Sequence, residues 1–195
     1  MKKLRLILGD QLNHKHSWYS STEKDTLYFM AEMRQETDYA HHHIQKVIGF
    51  FAAMRNFYEH LKGNGHQVIY YEIDSEGNKQ DLIENLRNLI DKHHIERFEY
   101  QLPDEYRLDK QLKDFCKHLD IEFEIFDTEH FYTSRSEMAE FYDGKKEMIM
   151  EYFYRHMRKK HEILLQNASQ PEGGKWNFDK SNRKKWTGKP EIPHE

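Results

Sequence analysis

The chain has 195 residues and a net charge of −4, with 33% charged and 14% aromatic residues, so it is long enough for one large domain or for a domain with a tail. It contains no apolar run of membrane-spanning length and no apolar N-terminal signal region, and we therefore expect a cytoplasmic protein without a membrane partner. The single cysteine, Cys116, excludes an intrachain disulfide and a four-cysteine metal or iron–sulfur site made by this chain alone.

Up to residue 130, apolar runs of strand length alternate with helix-like patterns. The runs lie at residues 3–8, 26–31, 68–71, 97–100 and 121–125. Between them, apolar residues recur every three or four positions and predict helices at 44–61, 82–90 and 108–119. Strands and helices in this order form right-handed βαβ units. The sequence therefore predicts an α/β fold with a doubly wound, parallel sheet of about five strands and helices on both faces.

Polar segments follow three of the predicted strands, at residues 9–11, 32–39 and 102–107. In an open parallel sheet, these segments lie at the carboxyl ends of the strands, where ligands bind. Gly9 allows the backbone to turn close to a ligand, and Asp10 and Gln11 supply hydrogen-bonding groups. Because no basic residue is adjacent, this favours a heteroaromatic ring or a polyol over a phosphate. Ordinary turn chemistry, and acidic residues that complement a helix dipole, remain the alternative explanation.

The pattern changes after residue 130. Short helical stretches precede a basic, aromatic helix at about 148–165, a turn-rich break at 170–174, and a polar connector at 175–195. Residues 144–195 hold 12 Lys and Arg against 7 Asp and Glu, whereas residues 1–143 carry a charge of −9. Such a basic arm is typical of nucleic-acid contact or simply of a solvated helix, and we favour the second because no base-reading motif accompanies it.

Several well-known site motifs are missing. The chain has neither a complete G-x-G-x-x-G fingerprint nor a Walker A sequence nor a G-x-S-x-G elbow. His41, His42 and His43 are consecutive, so on a helix they point about 100° apart and cannot converge on one metal ion. We therefore predict no metal site.

Strings from residue 4 to about residue 183 are similar, in order, to the deoxyribodipyrimidine photolyase-related proteins, the bacterial iron–sulfur photolyases and cryptochromes. The matching strings are Leu6–Leu12, Met30–Glu32 with Tyr39, His42 and His43, Lys46 with Phe50–Arg55, Pro103 with Glu105–Arg107, Met150–Arg155 with Met157 and Arg158, and Gln170–Pro171 with Gly173–Asp179, Asn182 and Arg183. Tyr106 departs from the family's pattern, in which we expect tryptophan.

The resemblance implies a Rossmann-like antenna domain at 1–130, and a helical connector and tail at 131–195 that leads towards a C-terminal helical domain. The antenna domain of this family can bind 6,7-dimethyl-8-ribityllumazine. Carried over to this sequence, the pocket residues are Gly9, Asp10, Gln11, Glu32, Glu36 and Tyr39. Phe50 is added because it lies on the helix that follows the pocket loop.

In the family, the helical domain holds FAD and an iron–sulfur cluster, and the full-length protein repairs (6-4) photoproducts in DNA or acts as a photoreceptor. This chain has neither the cysteines nor the long helical region for that domain, so we predict a truncated product without catalytic residues of its own. The resemblance also implies an interdomain surface, through which the bare chain could form a homodimer. That surface comprises Tyr152, Phe153, Tyr154, Arg155, Trp176 and Phe178.

Two alternatives remain open. One is a Rossmann-like nucleotide-binding enzyme, which would need a phosphate-cradling loop. The other is a docking subunit for a separately encoded FAD-binding chain.

Overall fold

The structure is a computed structural model that describes residues 1–38, 40–179, 185, 187–189 and 191. The chain separates into two compact units, unit 1 at Met1–Phe131 and unit 2 at Tyr132–Glu195. The boundary predicted from the sequence, after residue 130, lies one residue before this division.

Strands and helices alternate through the described part of unit 1. The strands are β1 (Lys3–Leu6), β2 (Thr26–Ala31), β3 (Gln67–Tyr71), β4 (Arg97–Gln101) and β5 (Glu122–Phe126). The helices are α1 (Gln35–Asp38), α2 (Ile44–Gly63), α3 (Leu82–His93) and α4 (Tyr106–Cys116). Asp81 and Glu105 cap α3 and α4, because each side chain accepts a hydrogen bond from a backbone N–H of the first turn.

The five strands form one parallel sheet in the order β3-β2-β1-β4-β5. The central strand β1 pairs with β2 on one side and with β4 on the other, so that Leu4 lies opposite both Leu27 and Phe98. The chain therefore builds outward from β1 in one direction and then returns to build in the other. This confirms the predicted doubly wound, Rossmann-like α/β fold.

Helices cover both faces of the sheet, which agrees with the almost continuous apolar run of β2. The neighbouring strands β1 and β4 instead carry Arg5 and Glu99, which are buried and paired with each other, with Nε of Arg5 donating to Oε2 of Glu99 at 2.7 Å. On one face, α3 and α4 pack against the inner strands through Leu86, Leu89, Leu112 and Phe115. On the other face, α2 packs through Met54, Phe57 and Leu61, beside Trp18 from a short 3₁₀ turn at Ser17–Tyr19.

Two strands differ in detail from the sequence prediction. β1 ends at Leu6 rather than at residue 8, because the N–H of Leu8 bonds to the side chain of Gln11 and leaves the ladder. β5 is an edge strand, and its apolar residues Phe123 and Ile125 are exposed. The apolar side chains of α3 and α4 pack mainly over β1, β2 and β4, which leaves the edge partly uncovered.

Unit 2 has a small core between α5 (Glu137–Tyr142) and α6 (Met150–Lys160). Tyr142 and Phe153 are buried there, and the ring of Phe141 lies 5.3 Å from that of Phe153. A 3₁₀ turn follows at Glu172–Gly174. Among the residues that the structure describes in both units, no helix is both long and apolar enough to cross a membrane.

The helix α6 ends at Lys160, five residues before the predicted end. Glu162 and Leu164 both adopt left-handed backbone angles, with φ of 54° and 51°, which no α-helix can continue. The side chain of Arg158 turns towards this bend and donates hydrogen bonds to the carbonyl oxygens of Ile163 and Leu164. The basic side chain thus holds the bend that follows the helix.

Candidate functional site

The strand order of unit 1 reverses between β1 and β4, and this is the place where an open parallel sheet binds its ligands. The chain leaves β1 towards Gly9 and Asp10, and it leaves β4 towards Pro103 and Glu105. The connection after β1 passes over one face of the sheet and the connection after β4 passes over the other, so the two loops leave a crevice between them.

A cleft of about 380 Å³ occupies this crevice. Three structural elements line it besides the loop after β1: the start of α1, the first half of α2, and the loop that begins α4. The lining residues are Leu8, Gly9, Asp10, Gln35, Phe50, Pro103, Glu105, Arg107 and Leu108. Of the predicted pocket residues, the structure brings Gly9, Asp10 and Phe50 together here.

Gly9 and Phe50 are in close contact across the cleft wall. A Cβ atom on residue 9 would overlap the ring of Phe50 and would lie 2.9 Å from the sulfur of Met54. Position 9 therefore requires glycine for space. The half-buried ring of Phe50, packed against the Gly9 backbone, is a suitable surface for a flat heteroaromatic ligand.

Asp10 places a carboxylate at the exposed edge of the cleft. Surrounding protein removes water from this group and raises its pKa above the usual 3.8; the nearby carboxylate of Asp104 adds to the rise, while its own backbone N–H and His130 oppose it. The Nε2 atom of His130 lies 3.1 Å from Oδ2 of Asp104. A carboxyl group with a raised pKa is well suited to hydrogen-bond the polar edge of a neutral ring.

Arg107 brings a cation to the opposite rim. Its Nε donates to Oε1 of Glu105 at 2.8 Å, while Oε2 of Glu105 accepts from the N–H of Leu108 at 2.9 Å and caps α4. The hydrogen bond from Arg107 is the main cause that holds the pKa of Glu105 below 4.5. With Asp10 and Glu105 against Arg107, the lining has an excess of negative charge, which disfavours a phosphate-bearing ligand.

Gln11 lies behind the cleft rather than in its lining. Its side chain is buried, accepts from the N–H of Leu8 at 3.1 Å and donates to the carbonyl oxygen of Gln101 at 3.1 Å. It therefore joins the end of β1 to the end of β4 and supports the loop that carries Gly9.

Glu32 is also outside the lining. Its carboxylate is fully buried and accepts from Arg55, with Nε at 2.6 Å and Nη2 at 2.9 Å. It accepts as well from the hydroxyl of Tyr70 at 2.7 Å and from the N–H of Ile73 at 3.0 Å. Burial alone would raise its pKa, but these hydrogen bonds outweigh that effect and hold the pKa below 4.5. Both carboxylate oxygens are thus engaged within the protein.

Two predicted pocket residues lie on the segment after β2. The backbone of Glu36 belongs to α1, but its side chain is not among the described side chains, and Tyr39 lies outside the described residues. Their predicted role stays a prediction.

Sequence reasoning left Gln35, Pro103, Glu105 and Arg107 out of the pocket. The loop after β4 was one of the three polar segments, yet its side chains gave no separate signal. Only the strand order places this loop directly beside Gly9. Knowledge that β4 lies next to β1 would have added Pro103, Glu105 and Arg107 to the predicted pocket.

A second concave surface lies in unit 2, between α6 and the segment after it. This aromatic groove of about 770 Å³ is lined by Met150, Glu151, Tyr154, Arg158, Leu164, Glu172, Gly173, Trp176, Asn177, Phe178 and Asp179. The cationic groups of Arg155, Arg158 and Lys159 lie 5.1–5.9 Å from the centre of the Trp176 ring. Such contacts are attractive because the ring face is negative.

The predicted interdomain residues are divided by the structure. Tyr152, Tyr154 and Phe178 are each about half exposed, at 54%, 51% and 53%. Phe153 instead is buried in the core of unit 2, where it contacts Phe141 and Tyr142. Phe153 therefore supports this surface from behind.

Among the described residues, no three His, Cys, Asp or Glu side chains are close enough together to bind a metal ion. Cys116 is buried in unit 1, and burial raises the pKa of its thiol to about 11. A thiol in that state is a poor metal ligand, because ligation requires the thiolate.

Comparison with known proteins identifies the family to which the chain is related. The family model of the deoxyribodipyrimidine photo-lyase-related proteins matches residues 5–195. A (6-4) photolyase of Agrobacterium fabrum is 36% identical over 185 residues, which cover 94% of this chain and 36% of that protein. An uncharacterized protein of Acanthamoeba polyphaga mimivirus is 25% identical over 164 residues, 82% of this chain and 79% of that protein. The chain thus spans about a third of the photolyase, and it belongs to the deoxyribodipyrimidine photo-lyase-related protein family.

Proposed function

We propose that unit 1 is an antenna domain that binds a ribityl-lumazine, such as 6,7-dimethyl-8-ribityllumazine, in the cleft between the ends of β1 and β4. The observation that carries this proposal is the contact of Gly9 with Phe50 at the switch in strand order. A flat ring system can stack on the half-buried ring of Phe50, which packs against the backbone of Gly9. Few other surfaces of a small domain offer that combination next to hydrogen-bonding groups.

The other lining groups suit the polar parts of such a ligand. The carboxylate of Asp10 can accept from a ring N–H group, and the amide of Gln35 can donate to a ring carbonyl oxygen. Glu105 and Arg107 can bond the hydroxyl groups of a ribityl chain. The excess of negative charge works against phosphates, so the proposal favours an unphosphorylated ligand over a nucleotide. This is the reason to rank the antenna domain above a nucleotide-binding enzyme.

The light-dependent chemistry itself is proposed for a complete photolyase-related protein, of which this chain corresponds to one part. The similarity to a (6-4) photolyase supports DNA repair as the activity of that whole protein. A flavin bound by a helical region would receive the excitation energy from the lumazine. FAD and an iron–sulfur cluster would belong to that region, since Cys116 alone cannot hold a cluster.

The exposed aromatic residues of unit 2 are proposed to contact that helical region, whether it is joined to this chain or separately encoded. Tyr152, Tyr154 and Phe178 expose rings that a partner could bury, and the cations around Trp176 add polar contacts at the rim. Aromatic residues and arginine are enriched at such interfaces. In the isolated chain, the same rings could pair two copies, which sedimentation would detect as a dimer.

The lumazine proposal is tested by absorption spectroscopy with a matched pair of glycine variants. Gly9→Ala inserts a methyl group into the ring of Phe50, and we expect at least about a tenfold loss of affinity for 6,7-dimethyl-8-ribityllumazine, since a binding surface displaced by this much loses its contacts. Gly49→Ala is the control, because a Cβ there meets nothing within 4 Å. The control variant should bind as the wild type does.

Titration with ATP and magnesium under the same conditions separates the two ligand classes. Binding of the lumazine without binding of ATP supports the antenna domain. Tight binding of ATP, abolished by Gly9→Ala, would instead make unit 1 a nucleotide-binding domain. A wild-type chain that retains no lumazine after desalting would refute the proposal for the chain as it stands.

A further inference from the structure

Gln80, which lies between β3 and α3, has an unusual backbone. Its φ is +55°, a left-handed conformation that residues other than glycine rarely adopt. A glycine would adopt it without steric cost, so a glutamine keeps this backbone only where its surroundings hold it.

The side chain of Gln80 joins three separate backbone groups. Its Oε1 accepts a hydrogen bond from the N–H of Arg34 at 2.8 Å. Its Nε2 donates to the carbonyl oxygen of Ile73 at 2.8 Å and, more weakly, to that of Glu32 at 3.4 Å. The amide therefore ties the chain that leaves β2 to the chain that leaves β3.

The bond to Arg34 has a consequence for the cleft. The carbonyl oxygen of Arg34 accepts from the N–H groups of Thr37 at 2.9 Å and Asp38 at 2.8 Å, which closes the single turn of α1. The first residue of that turn, Gln35, lines the cleft. Because a helix of four residues has little stability of its own, its position depends on the groups that anchor it.

Gln80 is itself held by a buried polar network. The N–H of Gln80 donates to Oδ1 of Asn78 at 3.1 Å, and Nδ2 of Asn78 donates to the carbonyl oxygen of Glu32 at 2.8 Å. Nδ2 of Asn85, a fully buried residue of α3, donates to the same Oδ1 of Asn78 at 3.0 Å. A satisfied network of this kind holds its members in a single arrangement.

We infer that Gln80 is a positioning residue for the cleft: it orders the segment from Arg34 to Asp38 and so places Gln35 against the ligand. This inference rests on the proposed binding of a lumazine for its effect on affinity. Its effect on the order of the segment does not depend on any ligand. The hydrogen bonds of the Gln80 side chain go to Arg34, Glu32 and Ile73, none of which lines the cleft. Gln80 therefore acts on the cleft through the backbone of Arg34.

The test combines hydrogen exchange with ligand affinity in the variant Gln80→Gly. Glycine keeps the left-handed backbone and removes the amide, so the fold should persist. In the free protein, we expect exchange of the Arg34, Thr37 and Asp38 amides to accelerate by about tenfold or more, because the hydrogen bond that protects the segment is lost. We expect the dissociation constant for 6,7-dimethyl-8-ribityllumazine to rise by about tenfold as well.

His94→Gly is the matched control. His94 is also left-handed, with φ of +51°, but it lies exposed at the end of α3 and takes no part in the network described above. This variant should keep wild-type exchange at residues 34–38 and wild-type affinity. A similar melting temperature in both variants would show that the effects of Gln80→Gly do not come from general destabilisation.

The outcomes separate the inference from the proposed function. Unchanged protection of the Arg34 amide in Gln80→Gly overturns the inference, and so does faster exchange without any loss of lumazine affinity. If the wild-type chain binds no lumazine, the proposed function fails, while the exchange rates still decide whether Gln80 orders the segment.

Discussion

The loops after β1 and β2 leave neighbouring strands at the same edge of the sheet, and each carries a carboxylate, Asp10 or Glu32. The two carboxylates have opposite surroundings. Asp10 lies at the exposed edge of the cleft, where loss of water raises its pKa. Glu32 is fully buried, but Arg55, Tyr70 and the backbone of Ile73 all donate to it, and its pKa falls.

The difference shows that a carboxylate at the end of a strand is not necessarily available to bind a ligand. A side chain whose oxygens already accept several hydrogen bonds within the protein has little left to offer a ligand. Glu32 stabilises the edge, whereas Asp10 remains available to the cleft. Glu32 and Gln80 spend their polar atoms on contacts within the protein that hold the chain after β2 and β3, whereas Asp10 lines the cleft where a ligand would bind.

The largest effect is expected from Glu32→Gln. The substitution removes the negative charge with which Arg55 pairs. It also replaces one carboxylate oxygen by an NH₂ group, which cannot accept from the donors of Arg55, Tyr70 and Ile73. Because this breaks a buried pair, we expect the free energy of unfolding to fall by about 3 kcal/mol, the low end for such changes since Arg55 is half exposed. Urea unfolding at neutral pH measures it.

Glu72→Gln is the control for that variant. Glu72 approaches the same guanidinium of Arg55 at 3.5 Å but is 53% exposed, so its loss should cost less than about 1 kcal/mol. Equal losses for the two variants would contradict the contrast between a buried and an exposed partner.

The pH dependence of stability should distinguish the two strand-end carboxylates. The lowered pKa of Glu32 contributes stability that is complete above the usual 4.5 and is lost as the pH falls through the lower pKa of the folded state. The difference in unfolding free energy between wild type and Glu32→Gln should therefore shrink on acidification below about pH 4.5. A difference that stays constant down to pH 3 would show that folding does not lower the pKa of Glu32.

The smallest effect is expected from Asp10→Asn, and it has the opposite sign. Because the pKa of Asp10 is raised in the folded state, its charge costs stability above that pKa. The variant should be more stable than the wild type at neutral pH by no more than about 0.5 kcal/mol, since the carboxylate is exposed and screened. The gain should vanish as the pH falls through the raised pKa, and a variant less stable than the wild type would contradict it.

Phe153 shows where helix patterns alone are insufficient. The sequence groups it with Tyr152 and Tyr154 because the three aromatic residues are consecutive in a basic stretch. Consecutive residues of a helix point about 100° apart, so one of them can be buried while its neighbours stay exposed. Which one is buried depended on α5, whose Phe141 and Tyr142 pack against Phe153.

Sequence by itself determined the alternating strands and helices of unit 1, the parallel sheet and the three polar segments at its carboxyl edge. These features follow from local periodicity and from the handedness of βαβ units, which act within short stretches of chain. The tertiary structure alone decided that the loop after β4 faces Gly9, that Phe50 fills the space over its backbone, and that Glu32 is occupied by Arg55. Each of these depends on residues brought together from distant parts of the chain, and a single sequence carries no local pattern for such contacts.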